Sequence, residues 1–214
     1  MDEKLFSRIQ KRAAAYFENS RGSHDWSHTE RVYRLCVRIG EKEGADLEIL
    51  KIAALLHDIG REEQDSSKGQ VCHAAVGARL ARSILAEVGL EPDKLDRVIH
   101  CIRSHRFRGK HKPETMEAKV LFDADKLDSL GAVGVGRAFL FAGEVGATVH
   151  NHGVDLSRTT SYSREDTAYR EFAVKLCKIK DRMLTGEGRR IAEERHHFME
   201  KFFERLHDEV EGKI

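Results

Sequence analysis

Apolar residues recur at three- and four-residue intervals along almost the whole chain, and the segments they mark are expected to be helices. The first covers about residues 3 to 19, with Leu5, Ile9 and Phe17. Beyond the turn Asn19-Ser20-Arg21-Gly22-Ser23, either Ser23 or Asp25 can cap a second helix running to about Lys42. Its apolar face is Val32, Leu35, Cys36 and Ile39, and Gly44 closes it. A third helix, about 46 to 59, places Ile52, Leu55, Leu56 and Ile59 at i, i+3, i+4 and i+7. Arg61 to Gly69 is polar and is expected to be a loop. A helix from about 71 to 88 carries Val76, Leu80 and Ile84 and ends at Gly89. Pro92 suits the first turn of the next, whose face is Leu95, Val98, Ile99 and Ile102.

The pattern continues past an expected loop at 106 to 116. Val120, Ala124 and Leu127 mark a helix, and the glycine-interrupted stretch 131 to 146 is expected to form another. Residues 147 to 162 read as irregular. Ser163-Arg164-Glu165-Asp166 has a serine three before an acid and reads as a helix start. Phe172, Leu176, Ile179 and Met183 then form a long stripe. After Thr185-Gly186-Glu187-Gly188, a last helix carries Met199, Phe202, Leu206 and Val210. No segment alternates with period two as a half-buried strand does, so the expected fold class is all-α. The expected organisation is one domain over 1–214, with a core at about 20–145 and a C-terminal helical extension at about 163–212.

Composition narrows the function classes. The chain has 214 residues, 40% hydrophobic and 34% charged, with a formal net charge of +1. That balance gives no global field directed at nucleic acid or membrane. No run reaches transmembrane length, and Met1-Asp2-Glu3-Lys4-Leu5-Phe6 lacks the basic-then-apolar order of a signal peptide, so a cytoplasmic location is expected. The 4 cysteines, Cys36, Cys72, Cys101 and Cys177, form no CxxC pair and read as structural thiols. The 12 histidines stand out more, because several fall in helical segments beside acids.

Candidate chemistry centres on His57-Asp58, at the end of the third helix. An imidazole and a carboxylate there need partners, since unpaired buried charge is costly. They are either a hydrogen-bonded structural pair or half of a metal site. His28 lies four residues before Val32, close to a buried side, and Asp123-Ala124-Asp125-Lys126-Leu127-Asp128 places acids in another apolar-faced helix. A site built from His28, His57, Asp58 and Asp125 would offer two imidazoles and two carboxylates. Such a set suits one divalent transition metal, Mn, Fe, Co, Ni or Zn, and is too nitrogen-rich for a dedicated Mg or Ca cage.

The words His24-Asp25-Trp26-Ser27-His28-Thr29-Glu30-Arg31-Val32, Leu55-Leu56-His57-Asp58-Ile59-Gly60-Arg61 and Asp123-Ala124-Asp125-Lys126-Leu127-Asp128-Ser129-Leu130-Gly131-Ala132 resemble the HD superfamily of metal-dependent phosphohydrolases. The small stand-alone bacterial and archaeal subgroup is also matched by Met183-Leu184-Thr185-Gly186-Glu187-Gly188-Arg189-Arg190-Ile191-Ala192. The resemblance implies an HD-domain helical bundle with additional C-terminal helices. It implies His28, His57, Asp58 and Asp125 as metal ligands. It further implies hydrolysis of a phosphate ester, of a nucleotide or other small phosphorylated metabolite; Asp58 is the residue expected to orient or deprotonate the attacking water. Asp123 and Asp128 read as solvated or paired acids.

Some nucleotidases of the superfamily carry a glutamate three residues after the HD aspartate; here that position is Arg61, and Glu62 is the nearest acid. His73 and His105 resemble the extra histidines of two-metal members and are expected to contact substrate or hold a second metal. Lys126, Arg61 and Arg106 are candidates to steady phosphate charge. His100 reads as more ambiguous. His150-Asn151-His152 reads as a surface loop with a lid as the alternative, and His196-His197 as structural. Two rival functions stand beside hydrolysis: a di-iron oxygenase on the same scaffold, and a non-catalytic nucleotide-binding module. No nucleic-acid partner is expected, because the basic run Arg103 to Lys112 contains one aromatic, Phe107. Oligomeric state is left open.

Overall fold

The computed structural model describes residues 2–18, 25–67, 70–106 and 111–214. The described residues contain helices and no strand. The order is α1 (Glu3–Ala15), α2 (Trp26–Glu43), α3 (Leu47–Leu56), α4 (Arg61–Ser66), α5 (His73–Val88), α6 (Pro92–Ser104), α7 (Met116–Leu127), α8 (Gly131–Glu144), α9 (Ala168–Val174) and α10 (Gly186–Val210). Single 3-10 turns lie at Leu156–Arg158, Leu176–Lys178 and Lys180–Arg182. The chain groups into two compact units, 1–125 and 126–214. The expected core ended near 145, whereas α8 groups with the C-terminal helices. The cause is a contact remote in sequence: α8 packs on α10, with Phe139 against Phe202 and Phe203.

In the first unit α3 is the centre. Ile49, Leu50, Ile52, Ala53, Ala54 and Leu56 are fully buried, because α2, α6 and α1 pack around it. Asp46 starts α3 by accepting the N–H groups of Glu48 and Ile49 at 3.0 and 3.3 Å. Arg97 and Glu117 fasten the same corner, Arg97 to Asp46 at 3.0 Å and Glu117 to the Asp46 N–H at 3.1 Å. Asp25 caps α2 through the His28 N–H, at 3.1 Å; the alternative cap Ser23 lies outside the described residues. Gly44 and Gly89 end α2 and α5 with φ of +67° and +80°, which a side chain would strain.

Four expectations are corrected. Arg61–Ser66 is a helix, not a loop. It buries no residue, so it has no apolar period to read. Ser163–Asp166 does not start a helix; Thr167 does, capping the Arg170 N–H at 3.0 Å, while Ser163 closes a local turn onto Glu165 N–H. The stripe beyond Phe172 breaks at Lys175, where φ is −133°. Leu176 and Ile179 are still buried, because a three-residue spacing matches 3-10 turns. At the last helix Thr185 is the cap itself, accepting from Gly188 N–H at 3.0 Å, so α10 begins earlier than the glycines suggest. The expected 106–116 loop is non-helical at 106 and 111–115; its remaining residues lie outside the described set.

Candidate metal centre

Helix ends build the site. His28 is in the first turn of α2. His57 caps the C-terminus of α3, and Asp58 follows in the turn that leads to α4. His73 opens α5, His105 caps the C-terminus of α6, and Asp125 is in the last turn of α7. His28, His57, Asp58, His73 and His105 are each at most 4% exposed. The Asp125 side chain is 16% exposed and marks the solvent side.

The same device orients two of the rings. His57 Nδ1 lies 2.8 Å from the Ala54 carbonyl, and His105 Nδ1 lies 2.6 Å from the Ile102 carbonyl. Each ring folds back onto a carbonyl three residues earlier, one of the groups a helix C-terminus leaves without an intrahelical donor. A carbonyl only accepts, so Nδ1 carries the proton, and Nε2 presents a lone pair in the neutral ring. His73 Nδ1 is held the same way by Gln64 Oε1 at 2.8 Å.

Two donor groups result. In the first, His28 Nε2 lies 3.4 Å from His57 Nε2 and 3.4 Å from Asp125 Oδ1, with His57 Nε2 to Asp125 Oδ1 at 4.0 Å. In the second, His73 Nε2 lies 3.1 Å from His105 Nε2, and these lie 3.4 and 3.6 Å from Asp58 Oδ1. The other Asp58 oxygen, Oδ2, faces back to His28 and His57 at 3.7 and 3.9 Å. Asp58 therefore stands between the groups, one oxygen toward each. Arg61 donates one nitrogen to both oxygens, at 3.1 and 2.8 Å.

The electrostatics fit a cation. Burial lowers His57 to about 4 and His73 to about 3, with Asp58 opposing in each case. Burial would raise the Asp58 carboxyl, but Arg61 and His57 outweigh it and hold it well below the usual range. With their protons on Nδ1, His57 and His73 turn Nε2 lone pairs toward an ionised carboxylate. Two donors bound at ~2.1 Å from one ion sit roughly 3.0–3.4 Å apart, close to the observed spacings. The second group spans 3.1–3.6 Å and the first 3.4–4.0 Å.

The other candidates are placed differently. Arg106 hydrogen-bonds the Cys72 thiol, one residue before His73. Lys126 follows Asp125 at the end of α7, half-buried, and belongs to the second unit. Glu62 is exposed and outside the cluster. Asp123 and Asp128 are buried rather than solvated, and Asp128 pairs with Arg137 at 2.9 Å. His100 Nε2 accepts the Glu114 N–H at 3.2 Å, tying down a loop. His150-Asn151-His152 is anchored rather than poised as a lid: Asn151 is buried and donates to the Glu165 carbonyl at 2.8 Å. His196 is buried against Glu200 at 3.0 Å, whereas the His197 side chain is 66% exposed. Gln64 carries no apolar or motif signal, lying in the polar stretch 61–69; its one signal is the three-residue spacing from Arg61.

The HD domain family model matches residues 25–130. Bacillus subtilis YpgQ is 40% identical over 193 residues, covering 88% of this chain and 85% of that protein. The structure of Bacillus subtilis YpgQ in complex with ADP superposes with a TM-score of 0.74 at 35% identity, over 96% of this chain and 97% of that one. An HD-superfamily hydrolase from Bacillus thuringiensis gives a TM-score of 0.77 at 27% identity, covering 99% of both chains. The chain belongs to the HD-domain family.

Proposed function

We propose that the chain is a metal-dependent phosphohydrolase acting on a nucleotide or another small phosphorylated metabolite. The observation that carries this reading is the Asp58 carboxylate, buried and shared between two imidazole-rich donor groups. The ADP complex of the YpgQ relative supports a nucleoside phosphate as ligand class. His28, His57, Asp58 and Asp125 would hold one divalent transition metal, and Asp58, His73 and His105 a second. This moves His73 and His105 from substrate contact to ligation. When bound, such an ion polarises a phosphoryl oxygen and lowers the pKa of a water.

The chain's own residues do the rest. Asp58 orients the attacking water, and its carboxyl, held well below the usual range, stays ionised. Arg61 keeps Asp58 ionised and fixes its plane, as a guanidinium does with a carboxylate. The buried Arg61 Nε–H has no acceptor and is the donor left for a phosphoryl oxygen. Arg106 is the further candidate for phosphate charge within the same unit.

The test is metal content of the protein as purified, followed by phosphate release from a panel of nucleotides and sugar phosphates with Mn or Co. Metal-dependent release supports the reading. Nucleotide binding without turnover across the panel would make the chain a non-catalytic module. The second donor group also favours a di-iron oxygenase as a second reading. Two irons per chain with oxygen-dependent turnover would establish that instead, and a single metal would remove it.

A further inference from the structure

Gln64 lies on α4 three residues after Arg61, so the two share a face. Arg61 holds Asp58, and Gln64 holds His73. Gln64 Oε1 accepts from His73 Nδ1 at 2.8 Å and faces the His73 backbone N–H at 3.4 Å. The second contact settles which way the amide points. A backbone N–H only donates, so the atom facing it is the oxygen. An amide oxygen only accepts, so the ring proton of His73 sits on Nδ1. Nε2 is then the lone-pair atom, 3.4 Å from Asp58 Oδ1.

The alternative tautomer would have a different outcome. With its proton on Nε2, His73 would donate to Asp58 and form the ordinary histidine–aspartate hydrogen bond of a structural pair, with no room for an ion. We propose that Gln64 is a positioning residue that selects the Nδ1–H tautomer of His73 and so makes Nε2 a ligand for a divalent cation. This rests on the reading that Asp58, His73 and His105 hold such a cation. Glutamine suits the role because it accepts a proton's hydrogen bond without adding a third carboxylate to the cluster.

A plain structural role has to be separated from this one. Cys72, the residue before α5, makes no side-chain cap, and Gln64 supplies an acceptor for the first N–H of that helix. A cap-only role would lower thermal stability and leave the metal chemistry alone.

The experiment uses the full chain, 15N-labelled and freed of metal with EDTA. Long-range proton–nitrogen spectra of the imidazoles report each tautomer, with His73→Gln assigning the signal. Mn and Co titrations by calorimetry and elemental analysis report the ions. Gln64→Ala is expected to move the His73 proton toward Nε2 and to weaken one ion by about 10–100-fold, the usual cost of losing such an outer partner. The ion held by His28, His57 and Asp125 should be unaffected. Gln64→Glu retains an acceptor and should restore both tautomer and affinity. An unchanged tautomer and unchanged affinities in Gln64→Ala, with only the melting temperature reduced, overturn the proposal in favour of capping. If the tautomer follows Gln64 but the wild-type chain takes up one ion only, the second-ion reading fails and the tautomer assignment stands.

Discussion

Gly60 is the position where a single methyl group should separate the metal centre from the rest of the fold. It follows His57, Asp58 and Ile59 in the turn between α3 and α4, with a φ of −92° that any residue can adopt. Its need for glycine is therefore steric. A Cβ there would lie 2.5 Å from the Gly77 nitrogen and 2.5 Å from the His73 carbonyl oxygen. Ordinary contact is roughly 1 Å longer, and both obstacles are backbone atoms that cannot rotate away. Gly60→Ala must open the gap between the turn and the start of α5. Asp58 rides on the turn and His73 on α5, so their 3.4 Å separation opens with it. Ligand distances in metal sites fit within about 0.2 Å, far less than the shift required. Overpacking of this kind costs about 1–3 kcal/mol, or roughly 2–12 °C in melting temperature for a chain of this size.

Gly77→Ala is the matched control. Its Cβ would meet the His57 carbonyl at 3.3 Å and Gly60 N at 3.5 Å, a misfit of a few tenths of an ångström. Replacing glycine inside α5 returns up to about 1 kcal/mol of helix propensity, so the net change should be near zero. Thermal denaturation and elemental analysis of both variants provide the assay. Equal metal content and melting temperature in Gly60→Ala and wild type, or equal damage from the two substitutions, would refute the steric argument.

Asp58→Asn should remove metal from both donor groups, reduce phosphate release to background and destabilise the chain. Breaking a buried ion pair costs about 3–5 kcal/mol, lessened here because the Arg61 side chain is 20% exposed; unchanged metal content would take Asp58 out of the site. Chelation of the holoprotein should lower its melting temperature, since an ion at 100 times its Kd contributes about 2.7 kcal/mol, or roughly 5–11 °C; a scan insensitive to EDTA would show that the ion does not bind the folded state selectively. The metal-free chain should lose stability on acidification. Burial holds His57 neutral down to about 4 against an ordinary 6.5, so its contribution is full above pH 6.5 and lost as pH falls toward 4, about 3 kcal/mol in all; denaturant titrations that are flat across that window would contradict it. Asp46→Ala should cost about 1–2 kcal/mol through the lost cap of α3 while leaving metal content intact, because Asp46 sits at the opposite end of that helix from His57.

The helices were legible wherever one face is buried and the other is not. The periodic apolar positions of α2, α3, α5, α6 and α10 mark real elements, and glycine, proline and aspartate mark several of their ends, because caps and αL turns are local chemistry. The four principal ligand candidates were legible as well, though only through the resemblance of their surrounding words. Spacing alone left His57-Asp58 divided between a structural pair and a metal site. Helix α4 was not legible, since it buries nothing and is held by Arg61 to Asp58 and Gln64 to His73, contacts made sideways to neighbouring segments. The grouping of α8 with α10 was also hidden, because aromatic packing between Phe139 and Phe203 spans more than sixty positions of sequence. Above all, sequence could name His73 and His105 but not say what they face. Only the tertiary structure brings the ends of α3, α5 and α6 to one point, where Asp58 turns one oxygen to each donor group. Local propensity determines where a helix stops; which helix ends meet is decided by the packing of the faces between them.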